Sequence, residues 1–446
     1  MNVIFFAIIL AAVAAASYRQ VRWDGAGTAP MDALSSSVVE AAGGAVELAI
    51  GLVGVMTLFL GLIKVAEAGG LLTILARLIR PLMVRLFPDV PPEHPAMGAM
   101  ILNMSANAMG LGNAATPFGI RAMQELNKLN PYPGTATNAM VLFLAINTSS
   151  VTLLPTGVIA IRAAAGSADP AAILPTTLFA TLCATLAAVS AAFFFRRFFA
   201  FTAAPAPVPE PAAAVQPAAT ASTIAPTEPP GTDGLKPEEA PLPDAGKPYP
   251  LWVSAAAMLG FLALIPLTVA YGRVIAPWII PGLILGFLTF GLLRGVRIYE
   301  VFVDGAKEGF QVALRIIPYL VAILVAVAML RASGALDAMI RTLGPWTSAV
   351  GLPAEALPMA LLRPLSGSGA YGIMASIIND PAIGPDSYVG YLVSTLQGST
   401  ETTFYVLAVY FGAVQVRRLR HAIPACLTAD FVAVVAAVGA CLYLFA

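Results

Sequence analysis

Apolar residues run along this chain in blocks of about twenty, parted by short polar or charged breaks, with no alternation at every second position. Blocks of that length suit helices crossing a hydrocarbon core roughly 30 Å thick, whereas a membrane barrel would show a period of two. The pattern predicts spans near 2–18, 46–65, 171–195, 251–271, 274–293, 316–330 and 422–446. The first lacks the positively charged start of a signal peptide and reads as a retained span. Residues 71–87, interrupted by Arg77, Arg80 and Arg85, read as an amphipathic helix at the interface, and the piece from Ala335 to Trp346 is also amphipathic. Four more regions, 95–120, 135–161, 356–378 and 387–415, are long enough to span but unusually rich in polar residues, Gly and Pro. The expected fold is an all-α integral membrane protein of two related helical halves, with broken or re-entrant helices.

Between the halves the chain changes character. Residues 201–250 are Pro- and Ala-rich with few large apolar side chains, a composition that favours an extended, disordered tether. Deleting about half of it, or co-expressing residues 1–200 and 250–446 as separate chains, is expected to leave function intact. The flanking parts, 1–200 and 251–446, repeat one order of landmarks. Gly69, Pro81, Pro95, Gly110, Ser149 and Pro175 match Gly334, Pro345, Pro358, Gly372, Ser399 and Pro424, with offsets falling from 265 to 249 and one main jump between Gly110 and Ser149, where the first half carries a longer polar loop. Gly282 and Gly286 have the GxxxG spacing that permits close helix contact.

Composition narrows the function. Of 446 residues, 59% are hydrophobic and 11% charged, against about a quarter charged in a soluble domain, which excludes an ordinary soluble enzyme. Lys plus Arg and Asp plus Glu both number 24, so no basic surplus exists to bind nucleic acid. Cys183, Cys426 and Cys441 lie in apolar stretches as small core residues, and His94 and His421 are too isolated for a metal pair or a hydrolase triad. No catalytic residue, resident metal or cofactor is expected.

The candidate chemistry lies in the polar centres. Asn103, Asn107 and Asn113, with Gly110, Gly112 and Pro117, do not suit a lipid-facing helix, because an unpaired amide in hydrocarbon costs several kcal/mol. Broken helices at that depth expose backbone groups that can hold a solute or ion; helix-to-helix glue is the plain alternative. In the second half Arg363 precedes Pro364, Ser366, Ser368 and three glycines, and reads either as an interfacial anchor or as an anion ligand. A third pair comprises Asn147 to Thr152, with Ser149, and Gln397 to Thr403, with Ser399, Thr400 and Glu401. An intramembrane carboxylate such as Glu401 points to function by default, with a structural pair to Arg363 as its alternative.

These strings carry a family resemblance. Residues 1–200, with G-L-G-N-A-A-T-P at 110–117, resemble spore maturation protein A; residues 250–446, with R-P-L-S-G-S-G at 363–369 and Q-G-S-T-E-T-T-F-Y-V-L-A-V-Y-F-G at 397–412, resemble spore maturation protein B. The whole looks like a fusion of the two. The resemblance implies nucleoside-recognition, or gate, domains at about 45–165 and 310–420, related to concentrative nucleoside transporters and to the membrane part of the bacterial ferrous-iron transporter. Those transporters carry a Gly-Gln-Thr-Glu string in a re-entrant hairpin; Gly398, Thr400 and Glu401 match it, and Ser399 replaces the Gln.

The expectation is therefore a multi-pass bacterial inner-membrane permease for a small polar solute, nucleoside-like or a small anion, coupled to H+ or Na+ at Glu401. A non-transporting membrane scaffold is the main alternative and a membrane enzyme the third. Partners would be the lipid bilayer and the solute, with homo-oligomerisation open and nucleic acid excluded. Arg196, Arg197, Arg294, Arg297 and Lys307 should mark the cytoplasmic side, with the linker, making the halves inverted repeats around a midplane site and leaving Arg19 and Arg22 outside.

Overall fold

The computed structural model describes residues 2–110, 112–149, 151–199 and 249–445. Nearly all of the linker therefore lies outside the described residues. The first half contains α1 (Asn2–Val21), α2 (Pro30–Ala68), α3 (Leu71–Leu86), α4 (Pro95–Ala108), α5 (Gly112–Lys128), α6 (Asn138–Thr148), α7 (Thr156–Ala164) and α8 (Leu174–Phe195). The second contains α9 (Leu251–Leu293), α10 (Ile298–Ala332), α11 (Ala335–Ser348), a 3-10 turn at Ala354–Ala356, α12 (Leu357–Leu362), α13 (Gly367–Ile378), α14 (Tyr388–Ser399), α15 (Thr403–Gly412) and α16 (Ala422–Phe445). The fold is all-α; among the described residues β-pairing is limited to one isolated bridge between Thr135 and Arg418.

From α2 to α8 and from α10 to α16 the element order is the same: a long helix, a tight corner, an amphipathic helix, two interrupted helices and a long apolar helix. Both corners are made by glycines in the left-handed region, Gly70 at φ 87° and Gly334 at φ 75°, a conformation that costs other L-residues about 1–2 kcal/mol. The landmark opposite Gly334 in this geometry is thus Gly70 rather than Gly69. At the first corner the chain turns by 69° between the end of α2 and α3.

Two sequence expectations are corrected. Residues 251–271 and 274–293 form one helix, α9, about 64 Å long at 1.5 Å per residue. Gly282 and Gly286 have open space where a Cβ would stand, so they make no close helix contact. The close approach lies instead between α2 and α10, which run antiparallel. A Cβ on Gly305 would meet Leu60 O at 2.8 Å, and one on Gly309 would meet Met56 O at 2.8 Å. Lys64 joins the same seam, bridging Glu67 at 3.4 Å and Glu308 at 3.2 Å. The expected spans 46–65 and 316–330 are the apolar parts of these longer helices.

Among the described residues, α8 and α16 are long and apolar enough to cross a membrane as single helices, and they pack along each other. Two main cores flank them. One joins α3, α4 and α6 to Val406, Leu407, Tyr410 and Phe411 of α15. The other joins α12, α13 and α14 to Val158–Ile161 of α7. Each core thus takes one broken-helix segment from the opposite half, which holds the interrupted regions of both halves against one another.

Candidate functional site: the crossing of the interrupted helices

The four polar regions are helices that stop and restart, at 109–111, 149–155, 363–366 and 400–402. The chemistry of each break explains the stop. Gly110 sits at φ 74°, where an added Cβ would also collide with the Leu154 carbonyl. Pro155 precedes α7, Pro364 follows Arg363, and Thr400 and Thr402 adopt extended backbone. Backbone polar groups freed at one break are taken up at another. Leu153 N donates to Ala108 O at 3.0 Å, joining the two breaks of the first half, and Phe404 N donates to Pro364 O at 3.0 Å, joining those of the second. Across the halves, Glu401 N donates to Thr148 O at 2.8 Å. The C-terminal ends of α6 and α14 therefore meet at this bond, so the partial negative ends of two helices converge beside the Glu401 side chain, which favours a cation there.

Around this joint the polar side chains are buried and only partly matched. Asn107 Nδ2 donates to Asn147 Oδ1 at 3.0 Å, and Asn147 Nδ2 to Phe143 O at 2.9 Å. Asn103 Nδ2 reaches Ala115 O at 2.8 Å and the Tyr410 hydroxyl at 3.2 Å, while its Oδ1 has no partner. Gln397 is buried and its Oε1 is likewise unpartnered. Arg363 is 6% exposed, so it does not snorkel; its Nη1 donates to Thr402 Oγ1 at 3.1 Å and its Nε has no partner.

Asp430, on α16, stands opposite. Its Oδ2 accepts from Thr403 Oγ1 at 2.7 Å and its Oδ1 has no partner. Arg363, Ser399, Thr400 and Asp430 line one cavity of about 10 Å³, roughly room for a single water. A guanidinium and a carboxylate thus carry unused hydrogen-bonding atoms beside a cavity that a single water could fill. Leaving such groups unmatched costs about 1–3 kcal/mol each.

Not every candidate faces this centre. Ser149 Oγ donates back to Ala145 O at 2.9 Å, and Ser399 Oγ to Leu396 O at 3.2 Å, so both hydroxyls are spent on their own helices. Ser366 caps α13, accepting from Gly369 N at 3.1 Å. Ser368 is half-buried in the first turn of α13. The side chain of Asn113 lies outside the described residues. Glu401 is half-buried, and among the described residues neither it nor Arg363 forms an ion pair, so the alternative of a structural pair between them finds no support.

Several residues of weight were not selected from sequence. Asp430 carried a usable signal, an acid inside an apolar run. The hydroxyls of Tyr410 and Tyr371 lie against Gly119 and Gly157 respectively, across the interface between halves. Arg162, at the end of α7, is fully buried. It donates to Pro385 O at 2.6 Å, Ser394 Oγ at 3.3 Å and Asp386 Oδ1 at 2.9 Å, and its guanidinium stacks 4.4 Å from the Tyr391 ring centre. It clamps the loop that feeds α14 onto the first half.

With this geometry in view, known proteins give a consistent match. The family model "Gate: Nucleoside recognition" fits residues 49–165 and again 313–417, the two segments that hold all four helix breaks. Spore maturation protein B of Bacillus subtilis is 49% identical over 159 residues, 36% of this chain and 88% of that protein. The chain belongs to the Gate family of spore maturation proteins. Spore maturation protein A of the same organism is 47% identical over 148 residues, 33% of this chain and 76% of that protein. The inner membrane protein YjiG of Escherichia coli strain K12 is 32% identical over 88 residues, 20% of this chain and 58% of that protein. No solved structure matches.

Proposed function

We propose that this Gate-family protein is a permease of the bacterial inner membrane for a small polar solute, nucleoside-like or a small anion, coupled to H+ or Na+ at Glu401. The observation that carries this reading is the joint at Glu401 N and Thr148 O, where two interrupted helices of opposite halves meet end to end beside a carboxylate. Helix ends and freed backbone at membrane depth are the usual means of holding solute and ion in secondary transporters. The unpartnered atoms of Asn103, Gln397, Arg363 and Asp430 add donors and acceptors that a purely packed core has no use for.

The antiparallel run of α2 beside α10 supports an inverted relation between the halves. α3 runs from the α2 corner, where Gly69 touches Phe290 near Arg294, to Leu86 beside Arg196. That supports one cytoplasmic side for both Arg clusters and for the linker. Arg19, beside Ala332 O at 3.4 Å, belongs to the other.

A scaffold is the second reading, and one observation favours it. Asn107 donates to Asn147, which donates in turn to Phe143 O, and Ser149 and Ser399 bond their own helices, as helix glue does. The two readings part on Glu401→Gln, tested by thermal shift of the purified protein against nucleosides, dicarboxylates and metal ions at two pH values, with and without Na+. A permease gives a solute-dependent stabilisation whose pH or Na+ dependence disappears in the variant. A folded variant with unchanged dependence makes Glu401 structural and favours the scaffold.

A further inference from the structure

A second pocket lies at the Arg196 end of the bundle, away from the crossing. It is a cavity of about 60 Å³ between the loop after α3, the start of α6 and the end of α8, lined among others by Phe87, Asp89, Asn138, Phe193, Arg196 and His421. We propose that this pocket binds the headgroup phosphate of an anionic phospholipid.

Three independent features point to that ligand. The first is charge. Arg196 lines the pocket, and Arg197, Arg417 and Arg418 are exposed nearby in sequence, against the single carboxylate of Asp89. The second is an unmet polar group. His421 is 1% exposed, and its Nδ1 has no partner. Burial, and then the positive charges of Arg420 and Arg196, push its pKa down to about 4. A phosphate would offset the repulsion between these cations and offer the ring an acceptor once it is protonated. Asn138 begins α6, an eleven-residue helix whose N-terminal end favours an anion, and its Oδ1 already accepts from Arg420 Nη1 at 2.9 Å, which leaves its amide N–H groups for a ligand.

The third feature separates a lipid from free phosphate. Phe193, Phe194, Phe198 and Phe199 are all exposed around the same helix end, and Arg197 lies 4.0 Å from the Phe194 ring centre. Apolar rings beside a cationic pocket suit acyl chains below a phosphate, the arrangement by which basic pockets at helix ends hold anionic headgroups. Free phosphate would leave this aromatic skirt in water.

The test is native mass spectrometry of the full chain released from mixed micelles of phosphatidylglycerol and phosphatidylcholine, with inorganic phosphate as competitor. Retention of phosphatidylglycerol over phosphatidylcholine is expected. Arg196→Gln should weaken it about fivefold or more, Arg196→Lys should retain most of it, and Arg341→Gln, on exposed α11, should leave it unchanged. Equal retention of the two lipids, or no effect of Arg196→Gln, overturns the proposal. Competition by inorganic phosphate at the lipid's own concentration overturns the lipid in favour of a free-anion site. None of these outcomes depends on whether the protein transports.

Discussion

Glu401 gives its backbone N–H to the carbonyl of Thr148 at 2.8 Å, and each residue stands at or just past the end of its helix, α14 and α6. A stopped helix leaves its last carbonyls without intrahelical donors. Here one of them is met by the first extended residues of the opposite half, so neither break is complete alone. The two halves should therefore fold interdependently: expressed alone, residues 1–200 are expected to be protease-sensitive, and co-expression with 250–446 should restore resistance.

Arg363 and Asp430 share a cavity without touching, and each holds one hydroxyl of the adjoining Thr402–Thr403 segment. Removing one charge leaves the other buried and uncompensated. Arg363→Gln should destabilise the protein by roughly 3 kcal/mol, and adding Asp430→Asn should recover part of that loss. Denaturant titration in a double-mutant cycle measures the coupling; strict additivity would mean that the two charges do not sense each other.

Gly110→Ala places a Cβ in the left-handed region and against the Leu154 carbonyl, so a loss of about 2 kcal/mol or more is expected. Gly282→Ala, with open space around it, should stay within about 0.5 kcal/mol of the parent. Thermal melts of both variants check the contrast.

Arg162 carries a fully buried guanidinium that ties Pro385 and Asp386, on the loop before α14, to Ser167 and Asp169 of the first half. Arg162→Met should cost about 3–5 kcal/mol and raise hydrogen exchange in residues 380–390, and Lys should not rescue it, because one ammonium cannot replace the planar fork.

His421 is held neutral, its pKa pushed down to about 4 by burial and by Arg420 and Arg196. An unfolded His titrates near 6.5, so the unfolded chain takes up the proton first and stability falls as pH drops from about 6.5 to about 4. In phospholipid-free detergent the melting temperature should decline across that window, and His421→Asn should flatten the decline.

Much of the fold was legible because helix breaks announce themselves. Gly110, Pro155, Pro364 and the Thr400–Thr402 run interrupt apolar regions in ways that backbone chemistry forbids a lipid-facing helix to ignore. The unbroken α9 was not legible, since a junction such as Tyr271–Arg273 is decided by what packs beside it. Nor was the burial of Arg162, because an arginine after an apolar run usually marks a span's end, and only the folded loop before α14 reveals it as a clamp. Ser149 and Ser399 were selected for their position, yet a hydroxyl one turn from a free carbonyl bonds its own helix first.

The central claim, that the crossing opens to water as a transport site must, is tested most directly at Ser399, now 1% exposed beside the Arg363–Asp430 cavity. The measurement is labelling of Ser399→Cys by a membrane-impermeant thiol reagent in proteoliposomes, with Cys183, Cys426 and Cys441 replaced by Ala. A permease predicts labelling from each face in turn, at rates that change with pH or Na+. Complete protection from both faces under every condition, in protein shown to be folded, would contradict it.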